Sequence, residues 1–161
     1  MGGLLGPQPR SAVALEQLLA DYFDVPVEIE QFVGAWRSLD RETQTRFEDS
    51  EDVAERLGGG AVIGDEVWDI QSGVRIKLGP LPLERYLDFL PSGTAYGPLG
   101  TLARFYAGDE LDFEVQLILQ RQQVPSCVLG AEGHEAPRLG WATWVKSAPM
   151  GRDPADTVLR L

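Results

Sequence analysis

Few side chains in this sequence combine the type and the spacing that catalysis or metal binding needs. His134-Glu135 starts like a zinc-protease helix, but the position of the second metal-binding histidine is Arg138, and Gly133 and Pro137 oppose a helix there. His134 is therefore expected to be an ordinary loop histidine. Cys127 sits in the apolar run Val-Pro-Ser-Cys-Val-Leu with no base nearby in sequence, so a buried, inert thiol is expected. Gly58-Gly59-Gly60 lacks the Gly-Lys-Ser/Thr of a phosphate cradle and reads as a turn. The acid pairs Glu48/Asp49 and Asp65/Glu66 lie in polar stretches, where neighbouring carboxylates form a solvated face, and no calcium-loop pattern or Gly-x-Ser-x-Gly elbow occurs. No catalytic residue, metal or cofactor is assigned. The expectation is a non-enzymatic protein whose function is its surface.

Composition narrows the partners of that surface. The 161 residues carry 14 basic and 25 acidic side chains, a formal charge of −11 that repels phosphate backbones and anionic lipid alike. Nucleic acid is excluded as an expected partner, and direct membrane insertion is not expected because no long apolar run occurs. A single cysteine permits no internal disulfide, which places the expected setting in a reducing cytoplasm. Residues 1–10, with three glycines and two prolines, read as an extended lead-in with a truncated edge.

The elements that must present the surface follow in order. Ser11 is a helix cap, and Leu15, Leu18, Leu19 and Tyr22 give a buried stripe over about 12–23. Val27, Ile29 and Gln31 alternate with Glu28, Glu30 and Phe32 as a strand, and a second short strand at 35–39 carries Trp36. Residues 40–56 are acidic with few apolar anchors and read as a loop with a weak helix. Trp68 and Ile70, then Val74, Ile76 and Leu78, alternate with polar residues, which predicts a hairpin. A loop at 71–73 places Ile70 opposite Val74 and Trp68 opposite Ile76 in the core, with Gly73 at positive φ; Gly79-Pro80 ends the second strand. Helices are predicted around 83–90 and 96–106, a strand at 111–119, a partner strand at 124–129, a tryptophan-bearing strand at 139–145 and a last strand at 158–161.

Parts of the chain resemble each other. A constant shift carries Leu15, Leu18, Tyr22, Val27 and Ile29 onto Leu99, Leu102, Tyr106, Leu111 and Phe113, and a slightly shorter one carries Trp68 onto Trp144. The predicted fold is α+β: residues 11–161 form one domain with an antiparallel sheet, built from two similar helix-strand-hairpin units at about 11–78 and 79–161. Trp144 then belongs in the core with Trp68. Trp141, three residues earlier in the same predicted strand, points to the other face, either as an anchor for a partner or under internal cover. A competing reading makes the chain a small ligand-binding domain or hydrolase with a pocket built from Tyr22, Tyr86, Tyr96 and Tyr106.

Val27 to Trp36, the Val-Trp-Asp and Leu-Gly-Pro-Leu runs between Ile63 and Leu81, Phe89-Leu-Pro and Arg138-Leu-Gly-Trp-Ala-Thr-Trp occur in an order that resembles the TssG (ImpH) family of type VI secretion baseplate proteins. The resemblance covers nearly the whole chain and corresponds to the C-terminal half of family members. It implies a structural wedge subunit of a phage-tail-like baseplate on the cytoplasmic side of the inner membrane. The implied partners are TssF, TssK trimers reached through foldon-like loops, and nearby TssE, in a hetero-oligomer. The glycine-interrupted connections at 57–62, with Gly58, Gly59 and Gly60, and at 130–138, with His134, are the expected docking loops beside Trp141.

Overall fold

A computed structural model describes residues 11–41, 44–45, 64–127, 138, 140–146 and 148–161. The chain divides into two compact units, residues 1–31 with 74–161, and residues 32–73. This is a different division from the expected halves at 11–78 and 79–161.

The larger unit is α+β. Helix α1 (Ala12–Phe23) opens on the Ser11 hydroxyl, which accepts from the Ala14 amide at 3.2 Å, and closes on Asp24 in the left-handed region. Phe23 continues the stripe of Leu15, Leu18 and Leu19, and it is buried where Tyr22 is 54% exposed. Both positions border the buried face; the phenol, with its polar tip, stays at the water and the phenyl goes in. Strand β1 (Val27–Gln31) pairs antiparallel with β4 (Gly73–Leu81), placing Ile29 opposite Ile76 and Val27 opposite Leu78. Helices α2 (Leu83–Asp88) and α3 (Tyr96–Ala107) lead to β5 (Asp112–Leu119), whose outer neighbour is β6 (Thr157–Arg160).

The sheet order is β1-β4-β5-β6. Arg75 meets Glu114, Gly79 lies against Ile118, and the Gln120 amide donates to the Leu81 carbonyl, so the contacts advance together and β4 and β5 run parallel. The outer ladders, β1-β4 and β5-β6, are antiparallel as expected. Helix followed by strand does recur, as α1-β1 and α3-β5.

One face of the sheet buries Val74, Ile76, Leu78, Phe113, Val115, Leu117 and Leu119 in a core shared with all three helices. The other face is polar. There Arg75 bridges Glu30 at 3.5 Å and Glu114 at 3.0 Å, and Lys77 bridges Glu28 at 3.0 Å and Glu30 at 3.5 Å. Hydrogen bonding to Glu28 holds the Lys77 ammonium above its usual pKa.

The smaller unit contains an antiparallel ribbon of β2 (Ala35–Ser38) and β3 (Glu66–Asp69), with Trp36 opposite Trp68 and Arg37 opposite Val67. The predicted hairpin of 66–70 with 74–78 is thus corrected: the two strands take different partners. Between them Asp69 caps the turn, accepting from the Gln71 amide at 2.8 Å and from the Ser72 hydroxyl. These bonds, led by that of Ser72, lower the Asp69 pKa. Gly73 is needed for proximity rather than for positive φ, since a Cβ there would lie 1.9 Å from the Val33 carbonyl oxygen. The Val33 amide donates back to the Gly73 carbonyl at 3.0 Å.

Gly79-Pro80 does not end β4. The strand continues to Leu81, and the helix cap falls on Pro82. Gly79 has φ +126, and a Cβ there would lie 2.4 Å from the Ile118 carbonyl oxygen. That approach, together with a 3.0 Å bond from the Gly79 amide to the Pro26 carbonyl, lets the ladder pass the proline. Pro80 is exposed at this point of the strand.

Candidate interaction surfaces

Among the described residues, the side chains with chemical potential do not converge. The Tyr86 hydroxyl is buried between the Trp141 carbonyl at 2.5 Å and Thr157 Oγ1 at 2.7 Å, and burial pushes its pKa up to about 12. The Tyr106 hydroxyl donates to the Ser11 carbonyl at 3.0 Å, the Tyr96 hydroxyl donates to the Arg160 carbonyl, and Tyr22 is exposed. Three phenols thus tie three separate places together, and no tyrosine pocket forms. A cleft beside Tyr106, lined by Leu15, Ile29, Val74, Leu111 and Phe113, has a volume of about 130 Å³. Small-molecule sites span roughly 300–1,000 Å³. Asp65 and Glu66 are exposed, and no cluster of three or more histidine, cysteine, aspartate or glutamate side chains suited to a metal occurs among the described residues.

Cys127 is exposed instead of buried. The strand expected at 124–129 is absent over its described part, 124–127, where only Val124 enters the core. The edge of β5 is taken by β6 instead. The expected strand at 139–145 is likewise irregular chain over its described residues, entered through Gly140 at φ +79 and a turn in which the Trp141 and Ala142 amides donate to the Arg138 carbonyl. Trp144 is half-buried and tilts over Tyr86, with ring centroids 5.9 Å apart. Trp141 is also half-buried against the core, with the Arg138 guanidinium 5.8 Å from its ring centroid. Without a strand, residues three apart are free to lean on one core. Gly58, Gly59, Gly60 and His134 lie outside the described residues.

The ribbon carries a paired, exposed aromatic surface. Trp68, expected in the core, is 51% exposed, and its cross-strand partner Trp36 is 62% exposed. Their rings meet edge to face at 5.4 Å between centroids and 64°. Gly34 makes room for this pair, since a Cβ there would lie 2.1 Å from the Trp68 ring. Alternation puts Ser38 and Glu66 on the tryptophan face and sends Arg37 and Asp69 to the other, where they bridge at 3.2 Å. Trp36 was not singled out from sequence, although a tryptophan between Ala35 and Arg37 in a four-residue strand has little local core to enter. Phe32 and Ile70, both beyond the end of the ribbon where Ala35 pairs Asp69, are exposed as well.

These features define an α+β protein with a closed core and an aromatic surface on an inserted ribbon. The chain belongs to the TssG family of type VI secretion, whose family model matches residues 1–146. No curated protein matches it. Among solved structures, it is similar to a chain of a type VI secretion TssK-TssF-TssG baseplate subcomplex determined by cryo-electron microscopy. That likeness has 20% identity and a TM-score of 0.66 and covers 97% of this chain and 65% of the other. A chain of a type VI secretion baseplate complex gives 20% identity and a TM-score of 0.63, covering 98% of this chain and 44% of that one. The likeness is one of fold, and this chain spans less than two thirds of either chain's length. No helix among the described residues is long and apolar enough to cross a membrane.

Proposed function

We propose that this chain is a structural subunit of a type VI secretion baseplate wedge, acting without catalysis on the cytoplasmic side of the inner membrane. The observation that carries the reading is membership of the TssG family over residues 1–146. The fold likeness to baseplate chains supports it, as does a layout in which the tyrosine hydroxyls are spent on backbone and Thr157 acceptors rather than gathered around a cleft. Its partners in this reading are TssF and TssK, with TssE nearby, in a hetero-oligomer. The connections at 57–62, with Gly58, Gly59 and Gly60, and at 130–138, with His134, are the proposed docking loops, and Trp141 is a further candidate partner contact.

Copurification of this chain with TssF and with TssK, each separately, tests the reading. Capture of both supports the wedge role, and capture of neither ends it. Shortening both connections is expected to abolish TssK capture while the circular dichroism spectrum stays unchanged; undiminished capture would remove the loops from the proposal.

A further inference from the structure

We propose that the paired tryptophans of the 35–38/66–69 ribbon are a receptor for arginine side chains on a partner protein. The inference rests on the assembly role above and names the chemistry by which one partner is recognised.

Geometry supplies the first part of the argument. Trp36 and Trp68 stand directly opposite each other on antiparallel strands, both more than half exposed, with Trp68 laid against Gly34. Their edge-to-face contact fixes the two indoles relative to each other and leaves ring surface open to solvent. An indole face carries negative electrostatic potential and attracts a cation placed over it, most often the flat guanidinium. The neighbouring arginine of the ribbon does not fill this place: Arg37 lies on the opposite face, bridged to Asp69.

Charge supplies the second part. Residues 32–73 hold four basic and ten acidic side chains, so this stretch carries −6 of the chain's −11. Glu66 is exposed on the tryptophan face two pairs along the ribbon, and Asp65 is exposed next to it. An aromatic platform with a carboxylate beside it suits a guanidinium, which stacks through its face and donates in its plane. An acidic segment is repelled by the same arrangement, and a second copy of this chain brings the same negative charge.

The test titrates the whole chain with a short peptide alternating arginine and glycine, following the indole N–H resonances of its four tryptophans. The peptide is expected to shift Trp36 and Trp68 and to leave Trp141 and Trp144 in place. The same peptide with citrulline, which keeps the shape and loses the charge, is expected to shift none. Truncating both indoles, W36A with W68A, is expected to weaken binding about tenfold. E66K, which leaves both rings intact, is expected to weaken it several-fold and serves if the alanine variant does not fold. The proposal is overturned if all four indoles respond alike, if citrulline or a glutamate peptide binds as well as arginine, or if the two indoles shift only with protein concentration, the mark of self-association. Capture of TssF and TssK by a chain whose indoles ignore the arginine peptide would leave the wedge role standing and remove this inference alone.

Discussion

The two units of this chain spend their apolar side chains in opposite ways. Among the described residues, every buried hydrophobic side chain lies in residues 1–31 and 74–161, where helices pack on one sheet face. Among the described residues of 32–73 only Gly73 is buried, while Phe32, Trp36, Trp68 and Ile70 face water. A two-stranded ribbon has too little area to bury two indoles on its own, so aromatic residues placed there are available to something else. On the proposal above, the contrast separates the part of the chain that folds from the part that binds.

Substitutions break this comparison in proportion to burial. Leu117→Ala in the centre of β5 is expected to lower the unfolding free energy by about 2–5 kcal/mol in urea denaturation, because Leu117 is fully buried. Trp36→Ala, a larger truncation, is expected to cost less than about 1 kcal/mol in the same experiment. Equal losses would mean that the ribbon is part of the core.

Tyr86→Phe sharpens the picture within the larger unit. It removes the hydroxyl that donates at this buried site, where the Thr157 hydroxyl still donates to the Trp141 carbonyl at 3.1 Å, and is expected to cost about 0.5–1.5 kcal/mol. The same residue sets a pH dependence. With its folded pKa raised to about 12 from 10.0, the native state holds the phenol proton where the unfolded chain releases it. The contribution is complete below pH 10 and is lost between pH 10 and 12, at up to about 1.4 kcal/mol per pH unit. Denaturation at these pH values is expected to show a steeper loss in the wild type than in Tyr86→Phe, which keeps the slopes of Lys77 and Tyr96, whose pKa values are also raised.

The ribbon turn answers at the other end of the pH scale. Asp69 has a lowered pKa, chiefly through Ser72, so its support of the turn is present above the ordinary carboxylate pKa and is lost as pH falls through the lowered value. Acid titration is expected to shift the Gln71 and Ser72 amides well before the amides of 112–119 change. Simultaneous changes would show that the two regions unfold together.

Much of the larger unit is legible residue by residue. The Ser11 cap, the 3.6-residue stripe of 12–23 and the alternation of 27–31 and 112–119 each follow from local chemistry, and the elements form where those signals lie. Strand partnership is a different kind of information. Alternation of Trp68 and Ile70, then of Val74, Ile76 and Leu78, shows two strands, and their closeness in sequence favours a hairpin, but pairing is decided at long range. The clue was charge: Glu28 and Glu30 have the spacing of Lys77 and Arg75, and the two rows meet across β1 and β4. Trp68 was misplaced for the same reason, since a strand that leaves the main sheet takes its tryptophan along. The candidate site was half legible, with Trp68 identified for the wrong role and Trp36 noticed only as part of a strand.

Hydrogen exchange of the free chain and of the chain copurified with TssF and TssK together tests the division of labour most directly. The account predicts that the amides of 35–38 and 66–69 exchange far faster than those of 112–119 in the free chain and become protected in the complex, with 112–119 unchanged. Ribbon amides already as protected as the core in the free chain, or no slower in the complex, would contradict it.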